Sequence, residues 1–208
     1  VDDEVDVLAY HIDLSHAGLR AALRASIGRL YERVEALCGQ LTAMGYPVTF
    51  AEAEAHNPRY VGYSSIIDAM RAKGQVPDFL SGRNVLWAAR QQIATPFGIP
   101  IQEALALIRS AGGVAVLAHP AVIRDRRWPT PEEIRPLVEA GLGGIEVYHP
   151  AVDAPARDYF TGIARQFDLV VTGGSDEHGY PAGFSLLGRE PVTQEMVEAL
   201  AVRTKTNR

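Results

Sequence analysis

Apolar positions follow two different rhythms along the chain. Between 14 and 95 they recur at spacings of three and four. Leu19, Leu23, Ile27, Leu30, Val34, Leu37, Leu41 and Met44 form one stripe, which predicts a long helix over 17–44 that Gly45 stops. Thr49-Phe-Ala-Glu52 has capping-box spacing and predicts a short helix. Ser64 or Ser65 is expected to cap another, which carries Ile66, Ile67 and Met70 and ends at Gly74. Residues 75–98 give no assignable pattern. Nothing in 14–95 alternates as a strand does, so this stretch is read as a helical insertion.

From Pro100 the rhythm changes. Helices with apolar faces alternate with short runs that are apolar throughout. The strands are predicted at 114–118, 144–148 and 169–172, and a further strand at 5–12. Helices are predicted between them, among them one capped by Thr130 with Pro131 at its first position and a last one capped by Thr193. Strands apolar on both faces suit a parallel sheet covered by helices or closed into a barrel. The α/β portion is therefore 1–13 with 96–208, and the insertion is 14–95.

The chain has 208 residues, a net charge of −5 and a pI near 5.7. That balance argues against a broad electrostatic footprint for long nucleic acid, while leaving room for a small phosphorylated molecule or a short oligonucleotide. No apolar run approaches the roughly 20 residues that span a bilayer, so no membrane partner is expected. Cys38 is the single cysteine, which excludes an intrachain disulfide and suits a reducing, cytoplasmic setting. It falls close to the long helical stripe and reads as a small buried hydrophobe.

Candidate chemistry gathers at the strand ends. The run V-V-T-G-G-S-D-E-H-G at 170–179 leaves a buried strand and delivers Asp176 and His178, which point the same way in an extended segment. The strand at 114–118 ends in His119. Carboxylate and imidazole together suit a divalent Zn, Mn or Fe ion. A His–Asp pair that merely closes the end of the sheet is the simpler alternative. A third strand ends with Glu146 and His149. Alternation puts Glu146 on the face of Tyr148 rather than of His149, so the two need not act together; each is a candidate substrate-site residue, with ligand support or simple packing as the alternative. Arg124, Arg126 and Arg127 follow His119 and either grip a phosphate or form a solvated loop.

The motifs G-G-V-A-V-L-A-H-P at 112–120, G-I-E-V-Y-H-P at 144–150 and V-T-G-G-S-D-E-H-G at 171–179 resemble the second half of the polymerase and histidinol phosphatase (PHP) superfamily. The similarity is greatest to its stand-alone metal-dependent phosphoesterases, which act on nucleoside 3′,5′-bisphosphates and on the 5′ ends of short RNAs. The resemblance implies a partial, distorted (β/α)7 barrel with a helical insertion, and a divalent-metal cofactor held by His119, Asp176 and His178. The family's opening H-x-H and T-D-H strands and its following ligand Glu have no counterpart in this sequence. Its G-R-P-H motif aligns with Gly62-Tyr63-Ser64-Ser65, which puts Ser65 where the family has a ligand histidine, and Glu177 replaces a usual phenylalanine. Three readings follow. One is a truncated or diverged phosphoesterase, active or not. Another is a non-catalytic PHP-like module completed by a partner, or by self-association through open barrel edges. The third is an amidohydrolase-like barrel metallohydrolase.

Overall fold

A computed structural model describes residues 5–94, 98–122, 127–177 and 185–206. The chain divides into two compact units, Ala21–Ile99 and Val1–Arg20 with Pro100–Arg208.

In the first unit, helix α1 (Ala17–Ala43) runs into a set of shorter helices, α2 (Phe50–His56), α3 (Tyr63–Ala72) and α4 (Phe79–Arg90). The α1 stripe is buried at Leu19 and again from Leu30 to Leu41. Leu23 and Ile27 are exposed, whereas Val34, Leu37 and Leu41 are fully buried with Ile66, Ile67 and Met70. Cys38 lies in this core, and burial pushes its thiol up to about 11, so it stays a protonated, unreactive hydrophobe at neutral pH. The capping box at α2 is complete: Thr49 N–H donates to Glu52 Oε2 at 2.8 Å, and Glu52 N–H to Thr49 Oγ1 at 3.2 Å.

Three local expectations need correction here. Residues 79–90 form a regular helix because Asp78 caps it, accepting the Ser81 N–H at 2.7 Å. His16, which from its place just before the apolar stripe is expected to be a solvated residue near the N-cap, instead accepts the Leu19 N–H through Nδ1 at 3.1 Å at the start of α1. Neither Ser64 nor Ser65 caps α3, which starts after Gly62. Ser65 is buried one turn in, where its hydroxyl accepts the Gly62 N–H at 3.4 Å and donates to Tyr60 O at 3.3 Å. Ser65→His should therefore lower stability by about 1–3 kcal/mol through overpacking, read as a lower unfolding midpoint. An unchanged midpoint would contradict this expectation.

The second unit holds a four-stranded sheet in the order β1 (Val7–Tyr10), β2 (Val114–Leu117), β3 (Leu142–Tyr148), β4 (Val170–Gly173). Strands β2, β3 and β4 are parallel, as the alternation with helices predicts. Strand β1 is antiparallel to β2, with Val7 opposite Leu117 and Tyr10 opposite Val114. The sheet is therefore mixed, and the described residues form four strands rather than a closed barrel. Two hydrogen bonds fix the reversed strand, Ala118 N–H to Asp6 O at 3.0 Å and Asp13 N–H to Ala111 O at 2.8 Å. The reversal carries Asp6 to the end of the sheet where β2, β3 and β4 finish.

Helices α5 (Ile101–Ser110), α6 (Pro131–Glu139) and α7 (Ala154–Gln166) cover one face of the sheet. There Leu105, Leu117, Ile134, Ile145, Val147, Phe160 and Ile163 make the main core. Helix α8 (Gln194–Thr206) lies on the other face, where Leu200 meets Val114, Val116 and Val170. Gly144 in β3 permits close strand packing, since a Cβ there would stand 2.8 Å from Val170 O. Among the described residues no helix is long and apolar enough to cross a membrane.

Candidate metal centre

Parallel strands deliver their last residues to one rim, and three strand ends build this site. At the end of β2 the backbone of His119 turns left-handed, with φ 28°. Its N–H donates to Glu146 Oε2 at 2.9 Å. Strand β3 thus fixes the backbone at the end of β2 through a carboxylate that is only 5% exposed. The His119 Nε2 lies 3.5 Å from Asp6 Oδ2. At the end of β4, Gly174 passes close under Glu146, and a Cβ on it would stand 2.7 Å from Glu146 Oε1. The Gly174 N–H donates to Tyr148 O at 3.0 Å. The chain then turns at Asp176, left-handed at φ 47°, a conformation that aspartate tolerates better than most residues. Asp176 Oδ2 reaches to 3.4 Å from His149 Nε2.

The result is two carboxylate–imidazole pairs side by side, Asp6–His119 and Asp176–His149. The two rings meet edge to face, with centroids 5.6 Å apart. Glu146 sits beneath them, in register with Thr172 of β4. Its charge adds to burial in raising the pKa of Tyr10, burial being the larger cause.

Glu146 and His149 therefore converge on the same neighbours, contrary to the reading from strand alternation. The pairing register slips between Glu146 and Tyr148, and β3 ends at Tyr148. Beyond it His149 belongs to a turn closed by Val152 N–H to His149 O at 2.9 Å, where alternation no longer sets direction. Asp6 escapes sequence reasoning altogether. Its only signal is being the last of four acidic residues, Asp2, Asp3, Glu4 and Asp6, before an apolar run, and the direction of that strand could not be read.

His178, Arg124 and Arg126 lie outside the described residues. Arg127 is exposed and makes a paired contact with Glu133, at 2.6 and 2.7 Å, while Glu133 also accepts the Thr130 N–H at 2.8 Å. That links it to the N-terminal turn of α6 and holds the Glu133 carboxyl down at about 2. Glu177 ties the far side of the last motif down, accepting the Leu186 N–H at 2.8 Å. A groove of about 660 Å³ runs along β4 between Leu169, Val171, Met196 and Val202 and contains none of these polar residues.

Two donors about 2.1 Å from one ion, at a near-tetrahedral angle, stand about 3.4 Å apart. Asp6 Oδ2 and His119 Nε2 meet that spacing, and mixed carboxylate–imidazole donors suit Zn, Mn or Fe. By donor chemistry and spacing, these residues fit a divalent ion. Among the described residues no group of three or more His, Cys, Asp or Glu side chains gathers about one ion position.

Known structures share this arrangement of elements. A candidate metal-dependent phosphoesterase of Bifidobacterium adolescentis superposes with a TM-score of 0.79 and 26% identity, over 97% of this chain and 72% of that one. The chain is similar to metal-dependent phosphoesterases. The fold also matches an amidohydrolase of Chromobacterium violaceum, with a TM-score of 0.73 and 24% identity over 96% of this chain and 72% of the other. In sequence, 81 residues are 40% identical to a phosphoribosyl 1,2-cyclic phosphate 1,2-diphosphodiesterase of Eggerthella lenta; they are 39% of this chain and 29% of that protein. A 5′-3′ exoribonuclease of Haemophilus influenzae is 24% identical over 195 residues, 89% of this chain and 68% of that protein. No protein-family model matches the chain. These likenesses support a hydrolytic phosphoesterase at the level of the family and leave the substrate open.

Proposed function

We propose that this chain carries one metal-holding side of a phosphoesterase that hydrolyses phosphate esters of nucleotides or of short oligonucleotides. The observation that supports it most is the pairing of Asp6 with His119 and of Asp176 with His149 at one sheet end, in a fold shared with a candidate metal-dependent phosphoesterase. Asp6 and His119 are the pair whose spacing would hold a divalent ion, with Asp176 and His178 joining them by family resemblance. Such an ion, when bound, lowers the pKa of water and neutralises phosphoryl oxygens. The chain's own part is to fix the donors. Glu146 holds the His119 backbone, and Gly174 lets the end of β4 approach it. A net charge of −5 favours a small or short substrate over a long polyanion. Relatives named for a cyclic-phosphate diphosphodiester and for RNA both break phosphodiester bonds, which supports nucleotide esters as the class.

The test is metal content by mass spectrometry after incubation with Mn²⁺, with phosphate release from a nucleoside 3′,5′-bisphosphate measured on the same sample. About one ion per chain, with phosphate released, is the expected result. Bound metal with hydrolysis of a cyclic amide and of no phosphate ester would move the protein to the amidohydrolase class. Neither metal nor turnover would leave a non-catalytic module.

A further inference from the structure

His149 is 4% exposed, and each of its ring nitrogens has a distinct environment. Nδ1 accepts the backbone N–H of Ala151 at 3.1 Å. A nitrogen that accepts a hydrogen bond keeps its lone pair, so the proton of the neutral ring is on Nε2. Nε2 stands 3.4 Å from Asp176 Oδ2 but outside hydrogen-bonding geometry. Among the described residues it has no hydrogen-bond partner. While the Ala151 N–H occupies Nδ1, Nε2 has no lone pair to give to an ion. It is a buried donor that faces the Asp176 carboxylate yet, among the described residues, makes no hydrogen bond.

A second buried polar atom, on the neighbouring strand, is also unsatisfied among the described residues. The hydroxyl of Thr172, 3% exposed and in register with Glu146, is also buried without a partner. Buried polar atoms are nearly always satisfied, and two orphans, one just past β3 and one on the neighbouring β4, are what a polar ligand at this end of the sheet would account for.

We propose that His149 donates a hydrogen bond from Nε2 to a non-bridging oxygen of a bound phosphate group. It thereby orients that group beside His119 and Asp176, and it is not a metal ligand. The inference rests on the phosphoesterase reading above. An anionic oxygen is the acceptor that best suits a buried N–H, since a charge-assisted bond is the stronger kind. No proton is transferred, because Nε2 carries its hydrogen in the neutral and the charged ring alike.

The experiment uses the Mn²⁺-loaded chain, with inorganic phosphate as the probe in calorimetry, for the wild type, His149→Leu and His149→Gln. Long-range proton–nitrogen correlation on the wild type reads the tautomer directly. The expected results are a proton on Nε2, Mn²⁺ stoichiometry equal in all three proteins, and phosphate affinity about tenfold weaker in the leucine variant. Glutamine, which keeps an N–H donor, should recover most of that loss. Should the leucine variant not fold, the tautomer and the Mn²⁺ stoichiometry of the glutamine variant decide. A proton on Nδ1, a loss of Mn²⁺ in either folded variant, or unchanged phosphate affinity in His149→Leu would each overturn the inference and leave the phosphoesterase reading standing. A wild type that binds Mn²⁺ but neither binds phosphate nor cleaves any phosphate ester would overturn that reading, and this inference with it.

Discussion

Asp176→Asn and His119→Asn should each weaken Mn²⁺ binding by a hundredfold or more, roughly the upper end of what losing mere support to a ligand costs. Asparagine is the informative replacement at both positions. Both backbones are left-handed, at φ 47° and 28°, and asparagine tolerates that region where alanine does not. The variants should therefore unfold within about 0.5 kcal/mol of the wild type, which separates loss of a ligand from loss of structure. Asp6→Asn tests the neighbouring pair. Its carboxylate is exposed and stands 3.5 Å from His119 Nε2, so a drop in affinity there could not be assigned to unfolding. Calorimetric titration with Mn²⁺ checks all three. Unchanged affinity in both Asp176→Asn and His119→Asn would remove the metal centre from this sheet end.

Why some of this site could be read from the sequence and some could not is a matter of range. His119 and Asp176 each follow a run of apolar residues that is buried as a strand, and the glycines at 173 and 174 announce a turn at close quarters. These are local signals, and the structure puts both residues at strand ends. Asp6 depends on the direction of β1, which is set by pairing with a strand more than a hundred residues away. The meeting of Glu146 with His149 depends on a register slip and a turn, and ideal alternation hides both. Asp78 as a helix cap was locally visible in kind, but the helix it starts has a weak apolar pattern: Phe79, Leu80 and Trp87 are exposed, and only Gly82, Leu86 and Ala89 are buried. For Asp6 a long-range contact, and for Glu146 with His149 an irregularity, outweighed the local period; for 79–90 the local period itself is weak.

The largest expected effect on stability comes from a residue that touches no candidate ligand. Phe160→Ala should destabilise the protein by about 3–5 kcal/mol. The ring is fully buried on the inner face of α7, among Ile145, Ile163 and the rest of the core that joins the helices to β3. It packs edge to face on Tyr159 at 5.1 Å and lies 6.0 Å from Trp128, while the Tyr159 hydroxyl donates to Pro129 O at 3.1 Å. Alanine would leave a cavity that two other fixed aromatic rings cannot collapse to fill, so the upper part of that range applies. Against a typical total of about 5–15 kcal/mol this is a large share, and the thermal midpoint should fall by roughly 10 °C. Phe160→Leu, which fills most of the space, should lose less than half as much. The consequence for function follows from where α7 sits. It supports β3, and the end of β3 presents Glu146 and His149, while the ring packs among Ile145, Ile163, Tyr159 and Trp128. Below the lowered midpoint, Mn²⁺ affinity of Phe160→Ala should match the wild type. A loss of affinity without unfolding would mean that the site's geometry depends on core packing beneath β3, and the sheet end would have to be treated as one mechanical unit with α7.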